Sequence, residues 1–233
     1  MTTRRSFLAG TALFAAHAAT ARTQQSCAVF TKVTQSQISA DQAIQRLNDG
    51  NARFLAGRTV HCDPRTEVRD TADGQAPFAA VLGCMDSRVA PELVFDQRIG
   101  DLFVVRVAGN FVNVDILGSL EYATQVVGAK LIVVLGHTEC GAVKGAIDDV
   151  KLGNLTATLA NIRPAVLEIA DAGGERTSKN KAFVQRVADQ NTQDAAGMLT
   201  RRSDVMASLV QEGKLKIVSA MHDVRTGKVS WLS

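Results

Sequence analysis

Two short apolar runs, each ending in residues that bind metal, constrain this chain more than any other feature of its sequence. Phe78-Ala79-Ala80-Val81-Leu82 leads into Gly83-Cys84-Met85-Asp86-Ser87-Arg88, and Leu131-Ile132-Val133-Val134-Leu135 leads into Gly136-His137-Thr138-Glu139-Cys140-Gly141. Unbroken apolar runs of this length, bounded by glycine, read as strands buried on both faces, as in a parallel sheet covered by helices. In such a sheet ligands collect just outside the carboxyl ends of the strands. Two strand ends can therefore bring Cys84, His137 and Cys140 to one point. Two thiolates and an imidazole suit zinc, and three protein ligands leave a fourth tetrahedral position for water. That is the layout of a catalytic site rather than a closed structural one.

The ordinary readings are weaker. A lone buried cysteine is usually a small hydrophobe, and a lone histidine is more often a satisfied core residue. Here two residues separate His137 from Cys140, directly after a strand and with a glycine on each side, and Cys84 ends an equivalent strand. Asp86 and Arg88 would elsewhere be a surface ion pair of small energetic weight. Beside a metal, the carboxylate can accept a hydrogen bond from the bound water and orient it. Arg88 would keep Asp86 ionised and out of the fourth position. Without that restraint Asp86 could swing onto the zinc, which makes it a conditional fourth ligand.

The 233 residues suffice for one sizeable core. Ser39 or Asp41 can cap a helix carrying Ala43, Ile44, Leu47, Phe54 and Leu55, stopped at Gly57, and Pro64 opens another short helix or turn. A single helical turn is expected at Pro91–Phe95 and a strand over Leu102–Val107, broken at Ala108-Gly109-Asn110. Asp115 starts a helix through about Val127, and another runs from about Ala142 to Val150. Residues from about Leu155 to Gln211 read as helical, interrupted near Gly173-Gly174. A late strand over Leu215–Met221 and an edge strand over Val229–Leu232 complete the pattern. Strands alternating with helices predict an α/β fold, a single domain over residues 38–233 with a mainly parallel central sheet flanked by helices.

The N-terminus is expected to lie outside that domain. Arg4-Arg5-Ser6-Phe7-Leu8, an Ala-rich apolar stretch and Ala19-Thr20-Ala21 form an export signal over residues 1–21, cut after Ala18 or Ala21. The Arg-Arg-x-Phe-Leu core resembles a twin-arginine signal, which places the mature protein in the periplasm. That route carries folded proteins and suits one that loads a metal first. Residues 22–37 are polar, without clear periodicity, and read as a linker or N-terminal arm. Of the four cysteines, Cys27 and Cys62 remain over; they are free or paired, according to whether their α-carbons approach. A net charge of only +3, with no basic patch interleaved with aromatics, argues against nucleic acid as a partner. No apolar run is long enough to span a bilayer in the mature chain.

Cys84-x-Asp86-x-Arg88 with His137-x-x-Cys140 resembles the β-class carbonic anhydrases. So do Phe103-Val104-Val105-Arg106, Ala108-Gly109-Asn110 and Ser119-Leu120-Glu121-Tyr122-Ala123, and the likeness runs from about Gly74 to Gly145. The resemblance implies reversible hydration of CO₂ to bicarbonate and a proton by a zinc-bound hydroxide, with one Zn²⁺ per chain. It implies Cys84, His137 and Cys140 as zinc ligands and Asp86 with Arg88 as the catalytic dyad. Gln75, Phe103 and Tyr122 match the substrate pocket of the plant-like branch, Gln75 as a donor to substrate oxygen and the two rings as apolar walls. Some bacterial members carry a Trp three residues before the first zinc cysteine, part of a non-catalytic bicarbonate site that also uses an arginine like Arg106. Val81 stands in the tryptophan's place, which favours the open arrangement with Asp86 on Arg88. The family also implies a homodimer or higher even oligomer, and its N-terminal helix, here Ala43 to Leu55, often crosses onto the partner. The alternatives are a zinc hydrolase of a CO₂ analogue such as carbonyl sulfide or carbon disulfide, and a non-catalytic zinc protein of the same fold. A thiol-redox role is disfavoured because no Cys-x-x-Cys pair is present.

Overall fold

The computed structural model describes residues 27–169 and 174–232. The expected export signal and part of the expected break near Gly173-Gly174 lie outside them. Five strands form one sheet in the order β2-β1-β3-β4-β5. They are β1 (Ala79–Gly83), β2 (Leu102–Arg106), β3 (Leu131–His137), β4 (Lys216–His222) and β5 (Val229–Leu232). The first four are parallel neighbours and β5 is antiparallel to β4. This is the expected α/β fold.

The sheet's two faces explain the unbroken apolar runs. Side chains alternate along a strand, so Ala80, Leu82, Ile132 and Val134 pack in one cluster while Ala79, Val81, Leu131, Val133 and Leu135 pack in another on the opposite face. Helix α2 (Ala40–Leu55), capped by Ser39 through its hydroxyl, covers the second face with Ala43 and Leu47. Helix α3 spans Pro64–Thr71, and α4 (Pro91–Val94) is the expected single turn. On the first face lie α5 (Val114–Glu121), the core of α9 (Lys181–Arg201) and α10 (Asp204–Gln211). Helices α6 (Gly141–Ile147), α7 (Gly153–Ala160) and α8 (Arg163–Glu168) pack with the start of α9 around Cys84 and Cys140.

Three expectations change in detail. The arm over residues 22–37 is not wholly irregular: Lys32–Gln37 form helix α1, started by a capping box between Thr31 and Thr34. Six residues carry too little periodicity to stand out, and the cap does the work of nucleation. The helix expected from Asp115 starts one residue earlier, at Val114, and is capped by Asn113, whose side chain accepts the Ile116 N–H. Its last turn, Tyr122–Val126, winds as a π-helix. Finally, Cys27 and Cys62 form a disulfide, with α-carbons 5.8 Å apart.

Candidate metal centre

Strand order reverses between β1 and β3: the chain leaves β1 toward β2 on one side, and leaves β3 toward β4 on the other. A crevice opens where crossovers diverge in this way. Gly83 at the end of β1 is level with Leu135 in β3, so Cys84 emerges beside His137. The turn after β3 returns Cys140 to the same point. Glu139 takes the left-handed conformation there, with φ +59°, so a non-glycine residue makes the sharp bend. Gly136 has a different task, since a Cβ on it would lie 2.1 Å from the Thr192 hydroxyl of α9. It lets that helix seat against the sheet.

The ligand atoms of Cys84, His137 and Cys140 all lie within 4.8 Å of one another, and all three side chains are buried. Both cysteines are free thiols. His137 is fully buried, and its Nδ1 lies 2.9 Å from the Thr138 carbonyl. The carbonyl can only accept, so Nδ1 carries the proton and Nε2 presents its lone pair. That Nε2 has no hydrogen-bond partner. Hydrogen bonds from Cys140 and from the Gly109 N–H hold the Cys84 thiol well below its ordinary pKa, against the effect of burial. The charge so placed on Cys84, together with burial, pushes the Cys140 thiol up. Two buried thiolates cannot coexist there without a cation to share. An orphaned imidazole nitrogen and two adjoining thiols are what a tetrahedral zinc ion satisfies. The residues fit the metal.

Asp86 and Arg88 stand at the rim. Arg88 binds both carboxylate oxygens, and Asp86 Oδ2 is 4.0 Å from His137 Nε2. The carboxylate is restrained by Arg88 and lies apart from the three-ligand cluster. Arg88 is half exposed and borders an open cleft of about 450 Å³, along with Glu139, Lys181, Asp223 and Arg225. Glu139 is ion-paired with Lys144.

The three pocket residues lie elsewhere. Gln75 is exposed in a shallow pocket with Asp73, Ile99 and Leu102. Phe103 and Tyr122 meet edge to face, ring centres 6.1 Å apart, in an open pocket along β2 with Arg106 and Val114. No metal ligand lines either pocket.

Two supporting roles escaped the motif reading, in which Arg106 only resembles an arginine of a bicarbonate site. Arg106 Nε donates to the Cys84 carbonyl at 2.9 Å and its Nη2 to the Asp86 carbonyl at 2.6 Å, clamping the loop that carries both. Asn191, buried in α9, donates to the Gly109 carbonyl at 2.8 Å. It thereby steadies Gly109, whose N–H faces Cys84. The only signal for Asn191 is an amide at a core position of a helix, and that does not say what it holds.

An open α/β sheet with a buried Cys₂His cluster at its reversal point defines a class of metal-dependent enzyme, and comparison with known proteins narrows it. The carbonic anhydrase family model matches residues 79–229. Carbonic anhydrase 2 of Mycobacterium tuberculosis is 37% identical over 189 residues, covering 80% of this chain and 89% of that one. The carbonic anhydrase of Mycolicibacterium smegmatis is 38% identical over 193 residues, covering 80% and 90%. Among solved structures, a tetrameric β-carbonic anhydrase of Sordaria macrospora superposes with a TM-score of 0.63 at 25% identity, covering 83% of this chain and 98% of that one. The chain belongs to the β-class carbonic anhydrases, the enzymes of carbon dioxide hydration.

Proposed function

We propose that this chain catalyses the reversible hydration of CO₂ with one zinc ion held by Cys84, His137 and Cys140. The observation that carries this reading is the buried cluster of two free thiols around an imidazole nitrogen with no other partner. Zinc bound there would acidify a water and so supply the nucleophile. His137 keeps its tautomer through Thr138, so its Nε2 stays a ligand rather than a donor. Asp86, ionised and held by Arg88, accepts a hydrogen bond from the attacking water and points its lone pair at the carbon. Water and CO₂ give bicarbonate, and one proton leaves to solvent. The bidentate Arg88 grip supports an open arrangement in which Asp86 does not ligate.

Gln75, Phe103 and Tyr122 would bind substrate, Gln75 donating to an oxygen and the rings excluding water. They share no pocket with the ligands of their own chain, which suits a site completed by a second copy. Strand β2 is the open edge of the sheet, and Val114, Tyr122 and Val126 beside it are exposed. Pairing at that edge would cover them and would give a homodimer or a higher even oligomer. The solved relative from Sordaria is described as tetrameric.

We also assign export to the periplasm. The Cys27–Cys62 disulfide supports it, because such bonds persist in oxidising compartments. Among the described residues no helix is long and apolar enough to cross a membrane.

The test is stopped-flow CO₂ hydration across pH on protein of measured metal content. Activity with about one zinc per chain, lost in Cys84→Ala, is expected. Zinc without hydration at any pH would overturn the assignment in favour of a CO₂-analogue hydrolase or a structural metal.

A further inference from the structure

The Cys27–Cys62 disulfide anchors a segment that bonds to the chain near Gln75, at Pro77, and to the chain after Tyr122, at Val127. Residues 27–37 cross the loop that carries Gln75 and the end of the helix that carries Tyr122. Phe30 packs on Phe78 with ring centres 5.2 Å apart, and the Arg46 guanidinium covers both rings at 5.0 and 5.3 Å. Gln35, only 4% exposed, donates from Nε2 to the Pro77 carbonyl at 2.7 Å. Proline has no N–H, so that carbonyl is its one backbone hydrogen-bonding group, and Gln35 takes it two residues from Gln75.

The same short helix reaches the turn that follows the Tyr122 helix. Lys32 Nζ donates to the Val127 carbonyl at 2.6 Å, at the foot of the π-helical turn that Tyr122 begins. It also reaches Gln35 Oε1 at 3.4 Å, while Lys130 Nζ donates back to the Ser36 carbonyl at 2.6 Å. Helix α1 thus ties the Pro77 loop to the 127–130 turn. A helix of six residues does not hold itself in water. Its position comes from the bonds of Lys32, Gln35 and Lys130, with the disulfide at Cys27 and the join to α2 at Ser39 holding its two ends.

We propose that α1 is a brace for the substrate pocket, with Gln35 as a positioning residue and the Cys27–Cys62 disulfide as its anchor. The proposal rests on the assignment of Gln75 and Tyr122 to substrate binding. A brace of this kind affects how substrate is held, while the metal ligands and the Asp86–Arg88 pair, which α1 does not touch, keep their chemistry. Loss of the brace would therefore raise KM and spare kcat.

The experiment compares Gln35→Met, the Cys27→Ser/Cys62→Ser double variant and Gln75→Ala in the full chain, by stopped-flow CO₂ hydration with zinc content measured. Methionine keeps the length of glutamine without its donor, so it separates the hydrogen bond from packing. Gln35→Met and the double variant are expected to keep about one zinc per chain and kcat within about two-fold. KM should rise about 3- to 10-fold, the worth of one lost hydrogen bond. If Gln75→Ala raises KM and Gln35→Met does not, the brace is overturned and the pocket assignment stands. A Gln75→Ala enzyme with unchanged KM overturns the pocket assignment and the brace together. A double variant with unchanged KM, beside a Gln35→Met variant with raised KM, overturns the anchoring role of the disulfide.

Discussion

Arg88 holds Asp86 three times over. Its Nε donates to Oδ1 at 2.9 Å, its Nη2 to Oδ2 at 2.8 Å, and its own backbone N–H to Oδ1 at 3.0 Å. The side-chain hydrogen bonds are the main reason that the Asp86 carboxyl lies well below the usual carboxylate range. Asp86 Oδ2 lies 4.0 Å from His137 Nε2, and in the proposed mechanism this lets it orient a water while Arg88 keeps it off the metal.

Releasing that tie should be visible in the pH profile. In Arg88→Ala, hydration near pH 7 is expected to fall about 10- to 100-fold, the scale of lost charge-assisted hydrogen bonds. Stopped-flow rates should recover part of the loss in alkali, where hydroxide competes with the freed carboxylate. A profile that matches the native enzyme at every pH would show that Arg88 does not restrain Asp86. Stability responds differently. A carboxyl with a depressed folded pKa stabilises the fold above its unfolded value, about 3.9, and that contribution is lost as pH falls through the folded value. Arg88 is half exposed, so solvent screening keeps the contribution small.

The metal should also be part of the fold's stability, because its ligands join the ends of two strands. Chelation, or Cys140→Ser, is expected to lower the melting temperature by several degrees and to bring the zinc content close to zero. Calorimetry with and without added zinc checks this. A melting temperature indifferent to zinc would mean that the cluster does not bind it.

Gly109 is constrained twice, by a φ of +84° and by Ile162, whose Cδ1 would lie 2.3 Å from a Cβ. Gly109→Ala should cost about 1–3 kcal/mol in strain, measured by urea unfolding. Because the Gly109 N–H faces the Cys84 sulfur, zinc affinity should weaken as well. An alanine variant as stable as the native chain would refute the first half of this prediction.

His222 is opposite His137 on the neighbouring strand and is 3% exposed. Burial, followed by the influence of His137, pushes its pKa down. An unfolded histidine takes up a proton below about pH 6.5, while the folded one resists, so stability must fall as pH drops through that value. His222→Gln should lose less melting temperature than the native protein between about pH 7 and 5 on this ground. Equal losses would mean that His222 does not titrate on unfolding.

Much of this was legible before any coordinates. The cluster of Cys84, His137 and Cys140 could be read because Cys84 ends one apolar run and His137-x-x-Cys140 ends another, and parallel sheets gather ligands at strand ends. The sheet could be read because Ala79–Leu82 and Leu131–Leu135 are apolar at every position, as only strands covered on both faces are. Local chemistry also offered Ser39 or Asp41 as a cap, of which the structure uses Ser39, and marked Pro91 as the start of a turn. These features depend on a residue and its near neighbours in sequence, where period, capping and backbone preference act.

Other features depended on distant parts of the chain meeting, and no local rule reaches that far. Arg106 ends a strand like many arginines, and only the pairing of β2 with β1 sets its guanidinium on the carbonyls of Cys84 and Asp86. Asn191 is a polar residue in a helix until packing puts Gly109 beneath it. Cys27 and Cys62 could be paired or free until folding brought their α-carbons to 5.8 Å. The sequence by itself determined which residues can ligate, cap and fill the core. The tertiary structure alone decided which distant groups support them, because hydrogen bonds and disulfides act over a few ångströms and those separations exist only once the chain has folded.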